Sequence, residues 1–185
     1  MRDVHGALTW VVAALDRWRC PYQVVGGLAA LAHGGRRPLN DIDLYAPLPG
    51  YPGLLEDLRP HTIWGPARYR DDAWDLVFMK IDYAGVRIEI GDASSSPRYF
   101  DAGRARWVDQ GVDFARSERR TVEGVAIDVM PLAELLRYKR ALARPVDLAD
   151  VAELTSPGGH ATAPGGSSRA AACSASSAPS RRPTG

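Results

Sequence analysis

Val24-Val25-Gly26-Gly27, followed fourteen residues later by Asp41-Ile42-Asp43-Leu44, constrains this chain more than any other stretch. It predicts a short buried strand, a glycine turn, a short helix and a second strand. Side chains alternate along an extended strand, so Asp41 and Asp43 share one face while Ile42 and Leu44 share the other. Two like charges side by side on one face repel. A divalent cation between them relieves that repulsion.

The rest of the chain fits an α+β domain around this unit. Val4, Ala7, Leu8, Val11, Val12 and Leu15 recur at helical spacing, predicting an amphipathic helix over 3–18. Tyr22 to Val25 is the first strand, Leu28 to His33 a helix stopped by Gly34-Gly35, and Asp41 to Tyr45 the second strand. Leu54 to Arg59 is a helix, and the middle of the chain reads as antiparallel sheet. A strand is expected over 61–64, and Trp74–Asp82 and Val86–Ile90 pair across a tight turn at Gly85. In the later strand Val86, Ile88 and Ile90 face one way, Arg87 and Glu89 the other. Residues 92–112 carry no clear pattern. A hairpin over 119–129, a helix from Leu132 to about Arg144, a break at Pro145 and a last helix from Asp147, read as its cap, complete the domain. One domain over 1–155 is expected. From 156 to 185 Gly, Ser, Ala, Pro and Arg dominate, a composition that predicts a disordered tail.

Bulk properties exclude several classes. A formal net charge of +1 provides no global field for nucleic acid or anionic membrane. Cys20 and Cys173 lie far apart, which argues against a structural disulfide and for a reducing cytoplasm. No stretch approaches the ~20 apolar residues of a membrane helix, and the amino-terminal segment is periodic, unlike a signal peptide.

Glu89 has the same polar-face position on its strand as the two aspartates have on theirs. If the strands are neighbours, three carboxylates meet. Oxygen-only ligation suits a hard cation such as Mg²⁺, which takes substrate phosphates among its ligands. Asp82 and Asp92 lie close enough in sequence to serve in place of Glu89. Read without the others, each part has a plain explanation: a chance Asp-x-Asp, an ordinary turn, a solvated sheet face.

Together, Val24-Val25-Gly26-Gly27, Arg37 and Asp41-Ile42-Asp43-Leu44 resemble the signature of the nucleotidyltransferase superfamily, the fold of DNA polymerase beta. The similarity is greatest to small bacterial members: antibiotic-modifying enzymes for aminoglycosides and lincosamides, minimal nucleotidyltransferases and abortive-infection type toxins. It spans about residues 4–154, with 24–44 the tight match. The resemblance implies a mixed or antiparallel sheet flanked by helices, with further helices at the carboxy terminus. It implies that Asp41, Asp43 and Glu89 hold Mg²⁺, or Mn²⁺, with Glu89 the candidate general base. It implies that Gly26 and Gly27 cradle the triphosphate of ATP or another nucleoside triphosphate. Gly27 stands where the family often has Ser, and Asn40 where it often has Thr or Ser. The activity implied is transfer of a nucleoside monophosphate to a small-molecule, protein or tRNA hydroxyl, with release of pyrophosphate. The alternative is a catalytically silent protein of this fold, such as a toxin–antitoxin component.

Lys139 falls inside the apolar stripe of Leu132, Leu135, Leu136 and Leu142, where it either snorkels or reaches a buried anion. The resemblance implies contact with the triphosphate. Arg144, Asp147 and Asp150 match a family pattern read as a structural ion pair, and Arg37 is expected either to hold a γ-phosphate or to pair with Asp41. Trp64, Tyr69, Trp74 and Phe78 are assigned to core or pocket wall. Asp71, Asp72, Asp75 and Asp92 are the acids that could line a pocket for a polycationic acceptor.

Overall fold

The computed structural model describes residues 3–156; the tail expected over 156–185 lies, apart from Ser156, outside the described residues. Five helices surround one mixed sheet. They are α1 (Val4–Arg17), α2 (Gly26–Ala32), α3 (Pro52–Leu58), α4 (Leu132–Leu142) and α5 (Pro145–Thr155). The strands are β1 (Gln23–Val24), β2 (Asp41–Ala46), β3 (Thr62–Arg70), β4 (Trp74–Tyr83), β5 (Val86–Asp92), β6 (Arg98–Asp101), β7 (Arg106–Asp109), β8 (Glu118–Val122) and β9 (Val125–Val129). Their order is β7-β6-β4-β5-β2-β1-β9-β8, with β3 on the other edge of β4.

The centre of the sheet is the pairing of β2 with β5. They run parallel, with Ile42 opposite Ile88, Asp43 opposite Glu89 and Leu44 opposite Ile90. Alternation then divides the faces. Ile42, Leu44, Ile88, Ile90, Met79 and Ile81 face the core and are no more than 2 % exposed. Each such side chain contributes about 1.5–3 kcal/mol by leaving water. Helix α1 covers this face: Leu8, Val11 and Leu15 are buried against it, and the ring of Trp10 stacks on Tyr83 at 4.4 Å. The opposite face carries Asp41, Asp43 and Glu89 and is overhung by α4 and α5, whose side chains line the same cleft.

Several elements depart from the periodicity reading. Both glycines open α2 instead of preceding it; Gly26 takes φ +64°. Strand β3 runs to Arg70, well past residue 64, because pairing with β4 sustains a segment that is largely exposed and has no apolar alternation of its own. The unpatterned residues after 92 contain the β6–β7 hairpin. The expected break between the last two helices falls at residues 143 and 144, and Pro145 is the first residue of α5, where its missing N–H costs nothing. Asp147 does not cap that helix: it is fully buried and bonded to Arg144 and Lys139.

Candidate active site

A cleft of about 290 Å³ lies on the polar face of the β2–β5 pair. Its lining includes Gly26, Gly27, Arg37, Asp41, Asp43, Glu89 and Lys139, so all seven sequence-selected site residues border one cavity. The sheet register brings the acids together. Asp43 and Glu89 are direct neighbours on parallel strands, and Asp41 is two residues from Asp43 on the same face. Glu89 in turn faces Lys80 on β4. The next row along the sheet is Asp41, Arg87 and Asp82.

Neither alternative third carboxylate enters this group. Asp82 stands one strand further out, accepting the Gly85 N–H. Asp92 is 4 % exposed and spends its carboxylate on the backbone and hydroxyl of Ser94.

The charge at the centre is poorly compensated. Among the described residues, Asp41, Asp43 and Glu89 form one ion pair, and a long one, from Lys80 Nζ to Glu89 Oε1 at 3.9 Å. Burial, then repulsion from Asp41 and Glu89, pushes the Asp43 carboxyl up to about 7. Burial also raises Glu89, with Lys80 opposing and Asp41 adding to it. Three hard oxygen donors carrying excess negative charge suit a divalent ion of the Mg²⁺ type. Among the described residues no three acidic, histidine or cysteine side chains stand close enough together to hold a metal ion as they lie.

The glycine turn fits closely around these groups. A Cβ at Gly26 would stand 2.1 Å from Asp43 Oδ2, and one at Gly27 would stand 2.8 Å from Arg37 Nη2. At Gly26, with φ +64°, hydrogen is what lets the Asp43 carboxylate lie over the turn, whereas a Cβ at Gly27 would displace only the mobile end of Arg37. The Gly26 N–H is not left open, however: it donates to the Tyr138 hydroxyl at 3.1 Å. Tyr138 is 4 % exposed, and burial, then Asp43 and Asp147, raise its hydroxyl well above its usual range.

The cations form a chain anchored on α5. Arg37 Nε and Nη2 donate to Asp150 Oδ1 and Oδ2 at 2.9 and 3.3 Å. Lys139 Nζ donates to Asp150 Oδ2 at 2.9 Å and to Asp147 Oδ1 at 3.4 Å. Arg144 Nε and Nη2 donate to Asp147 Oδ2 and Oδ1 at 2.6 and 3.2 Å. Lys139 does not snorkel; it is 2 % exposed. Arg37 pairs with Asp150 and not with Asp41 as one reading had it. Burial alone would raise Asp150, but the hydrogen bonds from Arg37 and Lys139 outweigh it and hold this carboxylate below its ordinary value.

Tyr45, Tyr69, Trp74, Leu76 and Phe78 form the remaining wall. The acids nearest it are committed. Asp71 accepts from the Tyr69 hydroxyl and from the amides of Ala73 and Trp74, and Asp75 is held by Arg68 and Arg98. Sequence reasoning had no route to Tyr138, which sits in an apolar stripe and reads as core. Arg144 was visible only as one member of an expected ion pair.

By sequence, no protein-family model matches the chain and no curated protein matches it. By fold, the chain is similar to a presumed nucleotidyltransferase from Thermotoga maritima, with a TM-score of 0.63 at 18% identity, over 82% of this chain and 92% of that one. It is also similar to the lincosamide antibiotic adenylyltransferase LnuA, with a TM-score of 0.56 at 12% identity, over 84% and 99% of the two chains. The fold is that of the nucleotidyltransferases. In this α+β arrangement β2 and β5 are the strands that bring the three carboxylates to one cleft.

Proposed function

We propose that this chain is a metal-dependent nucleotidyltransferase that moves a nucleoside monophosphate from a nucleoside triphosphate, in the first instance ATP, to an acceptor hydroxyl. The observation that carries this reading is the row of Asp43 and Glu89, with Asp41 beside it, facing a cleft whose far side is cationic. Likeness of fold to an adenylyltransferase supports the choice of ATP.

Asp41, Asp43 and Glu89 would hold Mg²⁺, or Mn²⁺, which when bound neutralises charge on the phosphoryl oxygens. The chain's own part is positioning. Glu89, its carboxyl raised by burial, takes the proton of the acceptor hydroxyl. The freed oxygen bonds to the α-phosphorus, the bond from that phosphorus to the bridging oxygen breaks, and pyrophosphate leaves with the electron pair. The aromatic wall and helices α4 and α5 border the cleft in which the reacting atoms would meet. The acceptor is a small molecule, a protein or a tRNA end bearing a hydroxyl.

Incubation with α-³²P-ATP, Mg²⁺ and candidate acceptors tests this. Pyrophosphate release or label transfer by the native chain is expected, falling at least a hundredfold in Asp41→Asn/Asp43→Asn. Turnover that survives the double substitution would overturn the assigned site. Nucleotide binding without turnover for any acceptor would favour a silent binding protein of the same fold.

A further inference from the structure

Two arginines and one lysine border the cleft, and they are not equivalent. We propose that Arg37 and Arg144 form the clamp on the triphosphate, and that Lys139 is a buried positioning residue that sets both arginines through Asp150 and Asp147. This rests on the nucleotidyl-transfer reading and divides labour within that site.

The geometry separates the roles. Lys139 is 2 % exposed, between two carboxylates that are themselves 0 and 2 % exposed, and its ammonium bonds to both. Removing it to contact a ligand would take from each of two buried carboxylates the one cation they share, leaving each with a single, partly exposed arginine. The two arginine side chains keep 29 and 45 % of their surface exposed while lining the cleft that holds Asp41, Asp43 and Glu89. Each gives one edge of its guanidinium, Nε and Nη2, to an aspartate. A guanidinium has five N–H donors in a rigid fork, so each retains donors for a second anion. The third nitrogen of Arg37 reaches only the Pro38 carbonyl, at 3.4 Å; that of Arg144 makes no hydrogen bond among the described residues. Arg144 also lies 5.9 Å from the Trp74 ring, which borders the same cleft.

The charge order supports this division. Along the chain Arg37, Asp150, Lys139, Asp147, Arg144 the signs alternate, and three cations on two carboxylates leave one surplus positive charge. The ends of the chain are the exposed members, so that surplus is presented at the cleft and not in the interior. Asp147 and Asp150 lie three apart on one face of α5, which fixes the separation of the arginines they hold.

The chain has two lysines, Lys80 and Lys139, which permits a clean test. Magnesium tripolyphosphate and Mg-ATP are titrated calorimetrically into the full chain, Arg37→Gln and Arg144→Gln, with melting curves to establish folding. Separately, the native chain is acylated with an amine reagent, with and without tripolyphosphate, and lysine peptides are mapped by mass. The proposal expects each arginine variant to bind both probes at least tenfold more weakly. It expects Lys80 to be labelled and Lys139 to stay unlabelled with or without probe. A folded Arg144→Gln that binds within twofold of the native chain overturns the clamp while leaving nucleotidyl transfer standing. Labelling of Lys139 that tripolyphosphate suppresses also overturns it, and that measurement needs no variant to fold. Failure of the native chain to bind either probe overturns the nucleotidyl-transfer reading itself.

Discussion

Asp43 is the residue on which the site's electrostatics turn. Its carboxyl is pushed up to about 7 by burial, then by Asp41 and Glu89. The folded state therefore holds a proton that the unfolded chain, with an ordinary carboxylate, releases. The sign follows: the cost of this group is fully present above about pH 7 and is relieved as pH falls through 7 toward the ordinary carboxylate range. For the metal-free protein, Asp43→Asn is expected to raise the melting temperature at pH 8 by about 2–4 °C, the shift from roughly 1 kcal/mol in a chain of this size. The gain should shrink at pH 5. Mg²⁺ is expected to raise the melting temperature of the native chain at pH 8 and to do so far less in Asp43→Asn. A variant that melts lower than the native chain at pH 8, with no ion present, would contradict this account.

The helices α4 and α5 are joined by charge as much as by apolar contact. Lys139 joins α4 to α5, and Asp150 carries the connection on to Arg37. Lys139→Met fills the stem's volume but leaves Asp147 and Asp150 each with one arginine. Stranding a buried charge outright costs about 3–5 kcal/mol, and because each aspartate keeps an arginine the loss is expected to fall below that range. Denaturant titration should show that loss, and a smaller one in Lys139→Met/Asp150→Asn, where a charge of each sign is removed. Equal losses in the two would show that stem packing matters more than charge. The apolar stripe of α4 was legible in the sequence, and so was the problem of a lysine within it. Its solution was not, because both partners lie on the next helix. One signal was available: the chain uses arginine for nearly every cation, yet keeps a lysine at 139. A compact ammonium fits between two carboxylates where a planar fork does not.

At the scale of the whole molecule, the β2–β5 seam joins core and cleft. Ile88 is fully buried beneath it, opposite Ile42, while its neighbour Glu89 faces the cleft. Ile88→Ala should cost about 2–5 kcal/mol by opening a cavity at the centre of the sheet. Calorimetric unfolding would register it, and a loss under 1 kcal/mol would mean that the seam repacks. Among the described residues no helix is long and apolar enough to cross a membrane.

What the sequence by itself determined was local. Period-two alternation placed Asp41 and Asp43 on one side of a strand and Ile42 and Leu44 on the other, and helical spacing located α1 and α4. These patterns follow from backbone geometry within a few residues, so no distant contact was needed to read them. The length of β3, the β6–β7 hairpin, the tyrosine on the Gly26 amide and the aspartate that holds Arg37 were decided only in three dimensions. Arg37 and Asp150 are 113 positions apart. Coulomb attraction and burial depend on distance through space, and no periodicity along a chain encodes which of several aspartates an arginine will meet.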